Sequence, residues 1–174
     1  MKKLFLLAKT GEINEKASVV DKQELLVNAP IERVWKTLAD IAEWPQWYTG
    51  VTIIKAPKSF VEGQTFYWKQ DGVRIRSKLA KIEKPRVLSW TGRVVGIKVV
   101  HVWKLETRGK WKTKVKVEES MEGFLVSLFM NSQKLHKVLK LWINLLKIRA
   151  EKRKRRVRNS SSYASFPPAP VIIP

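Results

Sequence analysis

His101 lies in SWTGRVVGIKVVHVWKLETRG (residues 89–109), between Trp90 and Trp103, in a stretch that reads as β-structure. An imidazole can orient a carbonyl or hydroxyl, or move a proton near neutral pH, provided that a second group fixes its tautomer. Glu119 is the candidate for that second group. If Trp103 and Leu105 face inward, strand alternation turns Val99 and His101 inward too. On the next stretch Val115 and Val117 alternate with Lys114, Lys116 and Glu118, so the inward set continues to Glu119. A hairpin centred on Lys110 keeps both apolar sets on one face, pairing Leu105 with Val115, Trp103 with Val117 and His101 with Glu119. Such a pair could orient a ligand, do acid–base work, or be a hydrogen-bonded polar pair buried for structural reasons. His101 and Glu119 are the two catalytic candidates. Ser77 and Ser120 could approach His101, but a serine near a histidine is weak evidence for a triad.

Other chemistry is poorly represented. The chain has no cysteine and two histidines, His101 and His136. That removes disulfides, thiolate nucleophiles and thiolate metal sites, and no metal centre is expected. There is no nucleophile elbow, Walker loop, dinucleotide fingerprint or zinc motif, so no cofactor is expected either.

The elements that position these residues follow from periodicity. Residues 18–28 contain a strand with Leu25 and Val27 on one face, and NAPIERVWKTLAD opens a helix with Ile31, Val34, Trp35 and Leu38 at helical spacing. IAEWPQWYTG is a second short helix or tight turn. Six strand-like stretches follow: 51–56, 64–70, 73–83, 86–92, 97–107 and 111–120. Their alternation of apolar and basic residues predicts an antiparallel sheet covered on one face. From Glu122 to about Arg149 the apolar residues, Phe129 and Trp142 among them, recur at three- and four-residue steps, predicting a long amphipathic helix over that face. The result is an α+β fold: seven antiparallel strands, two short helices after the first, and a long C-terminal helix.

Charge and boundaries complete the outline. The net charge is +20; residues 151–174 hold six bases and one acid, leaving +15 on residues 1–150. A field of this size attracts anionic partners without choosing among them. Residues 1–17 are expected to be an N-terminal extension that could continue the first strand, residues 18–150 the domain, and residues 151–174 a disordered basic and then Ser/Pro-rich tail. MKKLFLLAK imitates the start of a signal peptide, but its apolar run falls short of an h-region and no segment approaches a membrane span, so a cytoplasmic location is expected.

ELLVNAPIERVWKTLADIAEWPQW, with Ala29-Pro30, Glu32, Val34-Trp35, Trp44-Pro45 and Trp47, resembles the opening of the START-like (SRPBCC) superfamily, in particular its polyketide cyclase/dehydrase-type branch. SWTG, HVWKLE and EESMEGFLVSLF are similar to that family's later elements, and the likeness covers roughly residues 18–149. It implies a helix-grip fold whose seven-stranded sheet wraps the terminal helix and leaves a hydrophobic cavity, with Trp44 and Trp47 bordering its mouth. The implied partner is a hydrophobic small molecule: a lipid, quinone, isoprenoid or polyketide-like compound. Expected ligand-binding residues are Trp47, Phe66, Trp68, Ile75, Leu79, Leu88, Trp90, Val99, His101, Trp103, Val117, Glu119, Phe129 and Trp142. The alternatives are a cyclase/dehydratase- or hydrolase-type enzyme using His101 and Glu119, and a basic adaptor at anionic membrane surfaces. Nucleic acid ranks last, for want of a stacking motif on an exposed strand.

Overall fold

The computed structural model describes residues 2–152. Seven strands form one antiparallel sheet: β1 Val19–Val27, β2 Val51–Lys55, β3 Thr65–Gln70, β4 Val73–Glu83, β5 Val87–Val94, β6 Ile97–Thr107 and β7 Thr113–Glu122. Their order across the sheet is β1-β7-β6-β5-β4-β3-β2. Helix α1 spans Lys2–Thr10; helix α2, Ile31–Ala39, and a 3-10 helix, Ile41–Gln46, follow β1; the single turn α3, Val126–Phe129, and the 20-residue α4, Ser132–Glu151, follow β7. This is the expected helix-grip arrangement.

Local chemistry accounts for the hairpins. Asp71 (φ 48°) and Gly72 (φ 84°) link β3 to β4 with both central residues in the left-handed region, as a type I′ turn requires. The β6–β7 hairpin is centred on Lys110, pairing Leu105 with Val115, Trp103 with Val117 and His101 with Glu119. β2 meets β3 with a bulge between Ile53 and Lys55.

The inner face carries the main core. Phe66, Trp68, Leu79, Leu88, Trp90, Trp103, Val115 and Val117 pack against Leu135, Leu139, Trp142, Ile143 and Leu146 of α4. The expected continuous helix from Glu122 is interrupted, however. β7 continues to Glu122, α3 is one turn, and α4 starts after Asn131, whose side chain accepts from the Lys134 backbone N–H at 2.8 Å. An N-cap of this kind begins a new helix rather than continuing an old one. α4 runs to Glu151, inside the span assigned to the tail; residues 153–174 lie outside the described residues.

The outer face differs from expectation too, because it is not bare. The N-terminal segment is helical rather than an extension of β1. Leu4, Ala8 and Ile13 pack against Ala80, Val100 and Val102 on the outer side of β4 and β6. Ser89 Oγ donates to the Ala8 carbonyl at 2.5 Å, and Asn14 bonds through its backbone N–H to Ser120 Oγ (3.0 Å) and through Nδ2 to Glu122 (2.9 Å). Leu4→Ala is expected to cost about 2 kcal/mol, near the low end for a buried leucine because the site adjoins a helix end. Urea denaturation measures it, and a loss below about 0.5 kcal/mol, the range of ordinary surface changes, would show that α1 is not docked.

Candidate functional site

The inner face of β6 presents Val99, His101, Trp103 and Leu105 in alternation, with Val100 and Val102 on the opposite face. His101 is 5% exposed and Glu119 7%. The two are joined by a hydrogen bond between His101 Nδ1 and Glu119 Oε2. A carboxylate on Nδ1 holds the tautomer in which Nδ1–H donates, leaving the Nε2 lone pair free to accept. The Trp90 indole stacks on the imidazole, with ring centroids 4.4 Å apart and planes 9° apart, which fixes the ring's orientation. Trp103 lies on the other side, centroids 5.7 Å apart.

Two buried polar atoms of this group have no partner among the described residues: His101 Nε2 and Trp103 Nε1. Trp47 Nε1 is a third. Buried polar groups in folded proteins are nearly always satisfied, so an acceptor and a donor left open on neighbouring rings call for a hydroxyl, a carbonyl or water.

Around them the interior is aromatic. Trp44 sits at its centre, fully buried, with its indole 5.2 Å from Trp142, 5.5 Å from Trp90, 5.6 Å from Trp68 and 6.0 Å from Phe66 between ring centroids. Its Nε1–H donates to the Leu38 carbonyl at 2.9 Å. The expectation that Trp44 would border a mouth is therefore corrected. The 3-10 helix, with Pro45 inside it, turns this indole into the space between sheet and α4. Trp47 packs edge-on to Trp142 at 5.5 Å. Trp142 Nε1 donates to Gln70 Oε1 (3.2 Å), and Gln70 Nε2 lies 3.5 Å from the Tyr48 hydroxyl.

Burial, and then the Asp71 carboxylate, push the Tyr48 hydroxyl up from 10.0 to about 12. An acid whose protonated form is favoured by folding contributes stability that is complete below the unfolded value and is lost as pH rises through the folded one. Tyr48→Phe should therefore flatten the fall in stability between pH 10 and 12 relative to the parent chain. Identical pH slopes in urea titrations of the two proteins would refute the assignment.

Of the residues expected to line the site, Phe66, Trp68, Leu79, Leu88, Trp90, Val99, His101, Trp103, Val117, Glu119 and Trp142 are buried on the inner side, and Ile75 and Trp47 pack partly buried against the same core. Phe129 does not join them. It is 61% exposed, because it belongs to α3 and not to the buried stripe of α4. The serines do not complete a triad. Ser77 Oγ accepts from Trp68 Nε1 at 3.0 Å, and Ser120 is turned to the outer face, where it holds Asn14.

Sequence reasoning missed the continuation of the polar row to the sheet edge. Asp21 of β1 is paired with Glu119 in register, and its carboxylate meets Gln23 Nε2 (2.8 Å) and His136 Nδ1 of α4 (3.3 Å). Asp21 and Gln23, two residues apart on one strand, were the available signal. Among the described residues no group of three or more His, Cys, Asp or Glu side chains is placed to hold a metal ion, and no helix is long and apolar enough to cross a membrane.

A seven-stranded antiparallel sheet gripping a C-terminal helix, with an aromatic interior and a few polar atoms turned into it, defines the helix-grip class. The family model described as polyketide cyclase / dehydrase and lipid transport matches residues 19–134, and the chain belongs to that family, within the START-like superfamily. Among curated proteins none matches. Solved structures share the fold. A hypothetical protein of Helicobacter pylori is 17% identical with a TM-score of 0.67, covering 79% of this chain and 91% of its own. The Zhui aromatase/cyclase of a Streptomyces species is 17% identical with a TM-score of 0.58, covering 82% and 97%. A START superfamily protein of Mycobacterium smegmatis is 13% identical with a TM-score of 0.56, covering 76% and 94%. Fold and family support a generic hydrophobic-ligand site between sheet and helix. In this chain the middle of that space is taken by Trp44.

Proposed function

We propose that the chain binds or carries a hydrophobic small molecule bearing a hydroxyl or carbonyl, of the lipid, quinone, isoprenoid or polyketide-like kind. One observation carries the reading: among the described residues His101 Nε2 and Trp103 Nε1 find no partner, in an interior lined mainly by apolar side chains. A hydroxyl can donate to Nε2 and accept from the indole N–H, a carbonyl can accept from the indole, and a bare hydrocarbon satisfies neither. An apolar enclosure with a few convergent polar atoms is the usual form of a small-molecule site. Binding displaces Trp44 or the rings around it, since they occupy the centre. The family description, which includes lipid transport, is consistent with this use.

The test is displacement of an environment-sensitive dye by a panel of long-chain alcohols, ketones and the parent alkanes, with native mass spectrometry of gently purified protein. Alcohols or ketones should bind more tightly than matched alkanes. Trp103→Phe together with Glu119→Leu/His101→Phe, which leaves no unpaired carboxylate behind, should remove that preference, about tenfold per hydrogen bond lost, while alkane affinity is kept. Absence of any uptake, or a preference that survives the triple substitution, would overturn the reading.

The carboxylate–imidazole pair favours a second reading, a cyclase/dehydratase- or hydrolase-type enzyme in which His101 Nε2 takes a proton from bound substrate and Glu119 holds the ring. There Glu119→Gln should abolish turnover but not uptake. Turnover unchanged by that substitution would dismiss it.

A further inference from the structure

We propose that the end of the sheet formed by the β5–β6 turn and α3 docks on an anionic lipid bilayer. Four large apolar side chains project there: Val95 at 83% exposure, Phe124 at 85%, Leu128 at 72% and Phe129 at 61%. They belong to one surface because the turn and the α3 loop are pressed together. The Leu125 side chain lies against Gly96, and a Cβ on Gly123 would fall 2.0 Å from the Gly96 carbonyl oxygen. Gly123, at φ 141°, keeps that approach open. Val126 is buried and anchors the α3 turn, so its neighbours Leu128 and Phe129 are held outward. Single exposed apolar residues are ordinary, but a cluster on one projecting end marks a contact surface.

The charges beside this tip select the occupant. Lys98, Arg93 and Arg76 stand in register across β6, β5 and β4 on the outer face, one step back from the turn. Arg76 and Arg93, with Lys78 and Lys2, rim a groove of about 290 Å³ that includes the buried Thr91. Among the described residues no carboxylate forms an ion pair with any of these four. Glu122 is paired in register with Lys98, but its carboxylate accepts from Asn14 Nδ2. Like charges directly opposite across a strand pair oppose folding, and an external anion relieves them.

A bilayer with anionic headgroups answers both features at once: acyl chains for the knobs, phosphates for the row. A free phosphate-type anion would use the groove and leave the tip bare. Nucleic acid would stack bases on Phe124 and Phe129, but the aliphatic Val95 and Leu128 exposed beside them have no role in stacking and suit acyl chains.

The full chain, without added ligand, is mixed with vesicles of phosphatidylcholine alone or with phosphatidylglycerol added, and flotation is followed against salt. Binding is expected only to the mixed vesicles, weakening as salt rises. Phe124→Ser with Phe129→Ser, and separately Arg76→Ser with Arg93→Ser, should each weaken it about tenfold or more. Thermal midpoints should stay within a few degrees of the parent, since all four residues are exposed. No flotation at low salt overturns the proposal. So does flotation indifferent to both double substitutions, which would trace the attraction to net charge, the bases of residues 152–158 included. A dimer that dissociates on Phe124→Ser/Phe129→Ser would assign the tip to a second copy of the chain, and RNA competing at the same residues would assign it to nucleic acid. Because no ligand enters the assay, failure here leaves the interior site standing, and the reverse holds.

Discussion

Trp44→Ala should cost about 3–5 kcal/mol of folding stability and leave an apolar void that takes up small aromatic molecules. The indole is fully buried and meets four other rings at 5.2–6.0 Å between centroids, so truncation removes contacts on several sides at once. It also leaves the Leu38 carbonyl without its donor, and an unsatisfied buried group adds about 1–3 kcal/mol of its own. The surrounding rings are held by separate bonds, Trp68 to Ser77 and Trp142 to Gln70, and so are poorly free to collapse inward. Urea denaturation with and without added indole checks both parts. Indole should restore some of the loss, in proportion to its concentration. A variant as stable as the parent, or one that indole does not stabilise, would mean that Trp44 is not the plug of the interior. If it is, the same residue is the natural gate for a larger ligand.

Glu119→Ala comes next in size, at about 3 kcal/mol, because it strips the partner from a buried imidazole. His101→Phe should also be costly, leaving a buried carboxylate beside Asp21 on the neighbouring strand. The double variant Glu119→Leu/His101→Phe should recover most of either loss, since replacing both members of a buried pair by apolar groups is commonly close to neutral. The quantity to measure is the coupling energy of the double-mutant cycle, expected at about 2 kcal/mol. Additive losses would show that the two side chains do not depend on each other. In that case the fixed tautomer, and with it the oriented Nε2, falls away.

The pairing of His101 with Glu119 was legible because strand alternation has a period of two, so a hairpin centre fixes every partner along it. The identity of the inward residues followed from the same rule. Depth did not. Periodicity says which face Trp44 occupies on a short turn, but not that Pro45 and the 3-10 geometry drive it to the middle of the core. The helix on the outer face was missed although β6 announced it: Val99-Val100-His101-Val102-Trp103 is apolar on both faces apart from one histidine, the mark of a strand covered on two sides. The break before α4 was also written in the chain. Asn131-Ser132 is a capping signal, and it outranks an apolar periodicity that runs through it.

The bulge in β2 has a consequence for the molecule's behaviour in crowded solution. β2 is an edge of the sheet, five residues long, kinked between Ile53 and Lys55 and followed by Ala56-Pro57. A short, twisted rim that ends in a cation and a proline makes a poor template for a strand from another molecule. Straightening this margin, by removing the irregularity and replacing Lys55 with an aliphatic residue, would invite fibrils from a fold whose interior had not changed at all.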